Sequence, residues 1–154
     1  MSKNRIMIAL VTLFVLCSCT VKHTDKAKTS FLEESIHNSL YALINKTYKD
    51  EGVYKGDFNE EKDIIAQGPK AIPILVEHVK DATKFKWSFY GFYPAVGDYA
   101  YFNICRILKI DIIEYLPSDI KEDFKTKGII AYYEYMNSNK SNRYKLYEVL
   151  KNNL

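Results

Sequence analysis

The sequence predicts an all-α fold, a compact bundle of six or seven short helices with a helical hairpin at its centre. Three observations predict it. Apolar residues beyond position 30 recur at three- and four-residue spacings, the period of a helix buried along one face. Residues that start and stop helices separate these stretches. No two alternating runs flank a hairpin turn in the way a strand pair would require.

Each element has its own justification. Ser30-Phe31-Leu32-Glu33 is a capping box, in which the serine oxygen and the glutamate each satisfy an orphan N–H. Leu32, Ile36, Leu40, Leu43 and Tyr48, with Ile44 alongside, extend it into one helix over about 30–49. Gly52 and Gly56 break the chain. Asp57 is placed to cap FNEEKDIIAQ, which Gly68 ends. The next helix, KAIPILVEHVKDATKF, starts at Pro69 or Lys70, because Pro73 is tolerated only in a first turn. It carries Ile72, Leu75, Val76 and Val79 on one face.

A loop through Gly91 and Pro94 leads to Asp98, read as the N-cap of YAYFNICRILKI, the candidate centre of the core. Residues 111–116 form a short helical piece stopped by Pro117, and Ser118 caps SDIKEDF. Gly128 separates that helix from IIAYYEYMNS, and SNRYKLYEVLKNNL closes the chain.

The N-terminus has a different character. Lys3 and Arg5 precede an apolar run of 12 residues, Ile6–Cys17, shorter than the roughly 20 a bilayer requires but suited to a secretory leader. Leu16-Cys17-Ser18-Cys19 resembles a bacterial lipobox, with an aliphatic residue, a small residue and then the cysteine. The resemblance implies cleavage of residues 1–18 and lipidation of Cys19, whose thiolate is the natural nucleophile for thioether formation. One acyl chain anchors weakly and two hold firmly. Residues 19–29 then form a polar tether and 30–154 the helical domain. Thr20, in place of the aspartate associated with inner-membrane retention, leans toward an outer-membrane anchor facing the periplasm of a Gram-negative cell.

Composition narrows the remaining possibilities. Without the leader the formal charge falls from +3 to +1, with basic and acidic residues interspersed, which gives no support to nucleic-acid binding. Cys105 would be the only other cysteine of the mature chain, in an apolar stretch that marks it as buried and inert. His23, His37 and His78 show no HExxH spacing, so no metal is expected. There is no GxSxG and no phosphate-cradling glycine loop, and no cofactor is implied. Seven of the 13 tyrosines fall in 87–102 and 132–136, and tyrosine suits both half-buried faces and interfaces.

GPKAIPILVEHVKDA, followed by VGDYAYFNICRIL, resembles a HEAT-like helical hairpin over about residues 64–109. No second copy of the motif follows, and an aromatic loop intervenes. The resemblance implies protein binding. The aromatic loop 87–94 either folds back to cap the core or presents anchors to a partner; on the second reading Trp87, Phe89, Tyr90, Phe92, Tyr93, Asp98 and Tyr101 are the candidate partner-binding residues. The expected function is non-enzymatic: a lipid-anchored envelope protein that binds another protein, as in envelope assemblies or toxin immunity. The alternatives are a lipoprotein that binds or cleaves peptidoglycan with paired carboxylates in a cleft, and a purely structural envelope lipoprotein.

Overall fold

The computed structural model describes residues 28–46 and 58–154. The leader, Cys19, the tether to residue 27 and the expected Asp57 cap lie outside the described residues. The regular structure of the described chain is helical: α1 (28–42), α2 (Asn59–Ala66), α3 (Ile72–His78), α4 (Val96–Leu108), α5 (Ser118–Lys127), α6 (Ile129–Ser138) and α7 (Ser141–Asn153). Short 3₁₀ turns occupy Leu43–Asn45 and Gly68–Ala71, and the only β pairing among the described residues is two isolated bridges. Residues Met1–Ser35 form a separate unit, of which 28–35 are described and helical, and Ile36–Leu154 form the compact body.

Periodicity placed most of the buried stripes. Ile36, Leu40 and Leu43 are fully buried at four- and three-residue spacings. The first helix is nevertheless shorter than expected. Its carbonyl at Ile44, which a longer helix would use internally, accepts the Lys86 N–H at 3.1 Å, and Lys46 turns to extended backbone. α3 also stops early, at His78 rather than near Phe85. There the Asp81 side chain accepts the Thr83 N–H at 2.8 Å, a local turn that competes with the helix. Residues 111–116 form turns and no helix, since the Asp111 carboxylate accepts the Ile113 N–H and Pro117 disfavours helical backbone before it. Pro117, not Ser118, occupies the N-cap position of α5.

α4 is the centre of the body, with Val96–Tyr101 and Asn103–Cys105 all buried. It packs on α3 and α2; α7 packs on both α3 and α6, and α5 packs chiefly on α6 with no buried residue of its own. The start of α4 meets the chain just after α3 at Gly97, whose N–H donates to the Asp81 carbonyl at 3.0 Å. A Cβ at this position would lie 2.2 Å from the Val79 carbonyl oxygen, so only glycine lets the two helix ends meet. Gly97→Ala is expected to cost at least about 2 kcal/mol of stability in urea unfolding, because the obstructing atoms are backbone and cannot rotate away. A loss below about 0.5 kcal/mol, the range of an ordinary surface change, would contradict this contact.

Candidate functional site

The segment between α3 and α4 is a narrow antiparallel excursion. Phe85 N–H donates to the Pro94 carbonyl at 2.8 Å and Val96 N–H to that of Thr83 at 3.0 Å. At its tip Phe89 and Phe92 exchange both backbone hydrogen bonds, at 2.8 and 2.9 Å. Tyr90 and Gly91 join them, both with positive φ (47° and 81°), the signature of a two-residue type I′ hairpin. Glycine accepts that backbone freely. Tyrosine does not, and the left-handed region costs an L-residue about 1–2 kcal/mol.

The hairpin lies over α6. Phe92 stacks on Tyr133 with ring centroids 5.9 Å apart, and Phe89 lies 6.3 Å from the same ring. Lys84 straps the base, its ammonium donating to the Tyr93 carbonyl at 3.0 Å and to Asn137 Oδ1 at 2.8 Å. Burial, then the nearby Arg143 charge, holds the Lys84 pKa below its ordinary value, against the opposite pull of Asp98. Projecting outward are Tyr90, 75% exposed, and Tyr93, 53% exposed.

The seven residues singled out from the sequence therefore divide. Tyr90 and Tyr93 are exposed, and Phe89 and Phe92 are half-buried beneath them. Trp87, Asp98 and Tyr101 are interior residues and form no part of a surface. Trp87 packs against Phe85 and Tyr99, with centroids 5.6 and 6.1 Å away, because the base of the hairpin is drawn into the core. Tyr101 is fully buried, and its hydroxyl donates to the Ile112 carbonyl at 2.5 Å.

Asp98 is not the N-cap of α4. That position is Ala95, and the carboxylate three residues on accepts its N–H at 2.7 Å, the acidic half of a capping box. The other oxygen, Oδ1, accepts from the Tyr132 hydroxyl at 2.8 Å and lies 2.7 Å from Arg143 Nη1. Asp98 is fully buried, and so cannot reach a substrate or a glycan. Burial opposes the Arg143 charge, but Asp98 beside it keeps the guanidinium's pKa above its ordinary value. The sequence reading missed Arg143 and Tyr132. An arginine on the same stripe as Leu146, Tyr147 and Leu150 was the available signal.

Other chemistry is sparse. Glu61, also fully buried, pairs with Arg106 at 2.5 Å. Burial pushes the Cys105 thiol up to about 12, which leaves it unreactive. Among the described residues no group of three or more metal-ligating side chains converges, and no helix is long and apolar enough to cross a membrane. No protein-family model, curated protein or solved structure matches the chain.

One titratable cluster joins α1 to α3. His37 stacks on Tyr41 at 4.2 Å and lies 5.5 Å from the His78 ring, while the Tyr41 hydroxyl donates to Asp81. Burial, then the His37 and Lys80 charges, holds the His78 pKa below its ordinary value, and Asp81 and Glu77 only partly offset them. The folded protein thus resists a proton that the unfolded chain accepts below about pH 6.5. The stability this provides is complete above that pH and declines as pH falls toward the folded value. Asp81, held low chiefly by Tyr41 against the effect of burial, titrates in a more acid range. Urea midpoints measured from about pH 8 down to about pH 5 should fall for the wild type and fall less for His78→Gln. Parallel curves would contradict the assignment.

Proposed function

We propose that this chain is a lipid-anchored bacterial envelope protein, held by Cys19, that binds a protein partner through the tip of its aromatic hairpin. The observation that carries the reading is Tyr90, a large aromatic side chain kept 75% exposed on left-handed backbone. Stability alone favours glycine or asparagine there. Strain retained at an exposed aromatic points to a task outside the fold. Tyr93 beside it adds a second amphipathic ring, and tyrosine is a preferred interface anchor because it orders much contact area with few rotatable bonds. The hairpin is fixed from below by Phe92 on Tyr133 and by Lys84, so it meets a partner preorganised.

The anchor rests on the resemblance of Leu16–Cys19 to a lipobox, and the binding role accords with the HEAT-like pattern of the 64–109 segment. A periplasm-facing outer-membrane position follows the same leader. The carboxylate-cleft alternative loses its best candidate, since Asp98 has both oxygens occupied inside the core.

The test is a crosslinking pull-down from native membranes, comparing full-length wild type with Tyr90→Gly and Tyr93→Ala. Cys19→Ala serves as the control for the anchor and should leave the membrane fraction. Tyr90→Gly should be at least as stable as wild type, gaining up to about 1 kcal/mol from relief of strain. It should nevertheless lose most of the captured partner. Undiminished capture by both hairpin variants would overturn the reading.

A further inference from the structure

A separate cleft lies at the C-terminal end of α4, with a volume of about 270 Å³. Its walls are apolar and aromatic, formed by Tyr99, Phe102 and Tyr133 with Ile110 and Ile112. Cys105 and two cations, Arg106 and Lys109, complete the lining. The two cations are not equivalent. Arg106 is balanced by the buried Glu61 through Nη1, and its side chain is 30% exposed. The Lys109 ammonium makes no ion pair or hydrogen bond among the described residues.

Lys109 is held in an unusual way. It sits at the C-cap of α4 with φ of 56°. The Ile110 N–H reaches back to the Cys105 carbonyl at 3.0 Å and closes a Schellman motif, where glycine is the usual occupant. A basic residue near a helix C-terminus is favoured by the dipole, but that preference is met from positions inside the last turn, as Arg106 already does. Among the described residues, the lysine at the strained position is the lining cation without an ion-pair partner.

We propose that this cleft binds a small monocarboxylate with a compact hydrocarbon tail. The lining holds two cations and no carboxylate; Glu61, outside it, balances Arg106, and the charge left at Lys109 matches a monoanion. The walls offer little polarity to a second charged group. At about 30 Å³ per water-sized group, the volume admits roughly nine such groups, close to an eight-carbon acid. The tail would lie against the three rings, the carboxylate at Lys109, with the remaining Arg106 donors within the same lining. This site is distinct from the hairpin tip and does not depend on the reading of it.

Octanoate is the probe, titrated calorimetrically into the full-length protein, with 1-octanol and octylamine as the neutral and cationic counterparts. Octanoate should bind about tenfold or more tightly than either. Lys109→Gln should weaken octanoate about tenfold and leave octanol unchanged. Ile112→Trp, checked for intact folding by circular dichroism, should fill the cleft and abolish octanoate binding. Octanol binding as tightly as octanoate, an unaffected Lys109→Gln variant, or no binding by octanoate would each overturn the proposal.

Discussion

The carboxylate of Asp98 is the constraint on which the rest of the body depends. A buried carboxylate is costly unless its charge is paired and its lone pairs are occupied. Here one oxygen takes the Ala95 N–H at the start of α4, and the other takes Tyr132 from α6 and Arg143 from α7. A single side chain thereby fixes three helices and the end of the loop that precedes them. Because the carboxylate sets where α4 begins, it also sets where Ala95 and the base of the hairpin must lie. Gly97, one residue away, lets that same helix end approach the carbonyls of Val79 and Asp81.

The aromatic residues divide along the same line. Tyr99, Tyr101, Tyr132 and Tyr133 are almost entirely buried and form the centre of the core together with Phe85, with the half-buried Phe102 packed against Tyr132 at its edge. Tyrosine at the centre of a core requires polar partners for its hydroxyls. Asp98 provides one for Tyr132, and the Ile112 carbonyl one for Tyr101. The rings at the hairpin tip have no such role in the interior. They lie on top of Tyr133 through Phe92, so the exposed tyrosines are carried by the core without being part of it.

The sequence made the local features legible. The stripe Ile36, Leu40, Leu43, the boundary at Gly128 and the central place of the YAYFNICRILKI helix all follow from periodicity and punctuation. Long-range pairing was not legible. Asp98 beside a helix start looks like a cap, and only the approach of Arg143 from 45 residues away reveals it as a buried ion pair. Trp87 lies in a loop whose sequence suits either core capping or exposure, and closure over Tyr99 places it inside. Of the candidate surface, the turn signal at Gly91 located the tip correctly. The strain at Tyr90 became visible only from its backbone angle. The cleft was hidden for a similar reason, since residues of α4, the turn after it and α6 meet there only in the fold.

The most direct test of the organising role of Asp98 is the unfolding free energy of Asp98→Asn by urea denaturation. The substitution preserves shape and leaves the Arg143 charge buried without its counter-ion, with its side chain only 6% exposed. The expected loss is about 3–5 kcal/mol, the cost of breaking one half of a buried pair. A loss of less than about 1 kcal/mol, as for an exposed pair, would show that the body does not depend on this carboxylate.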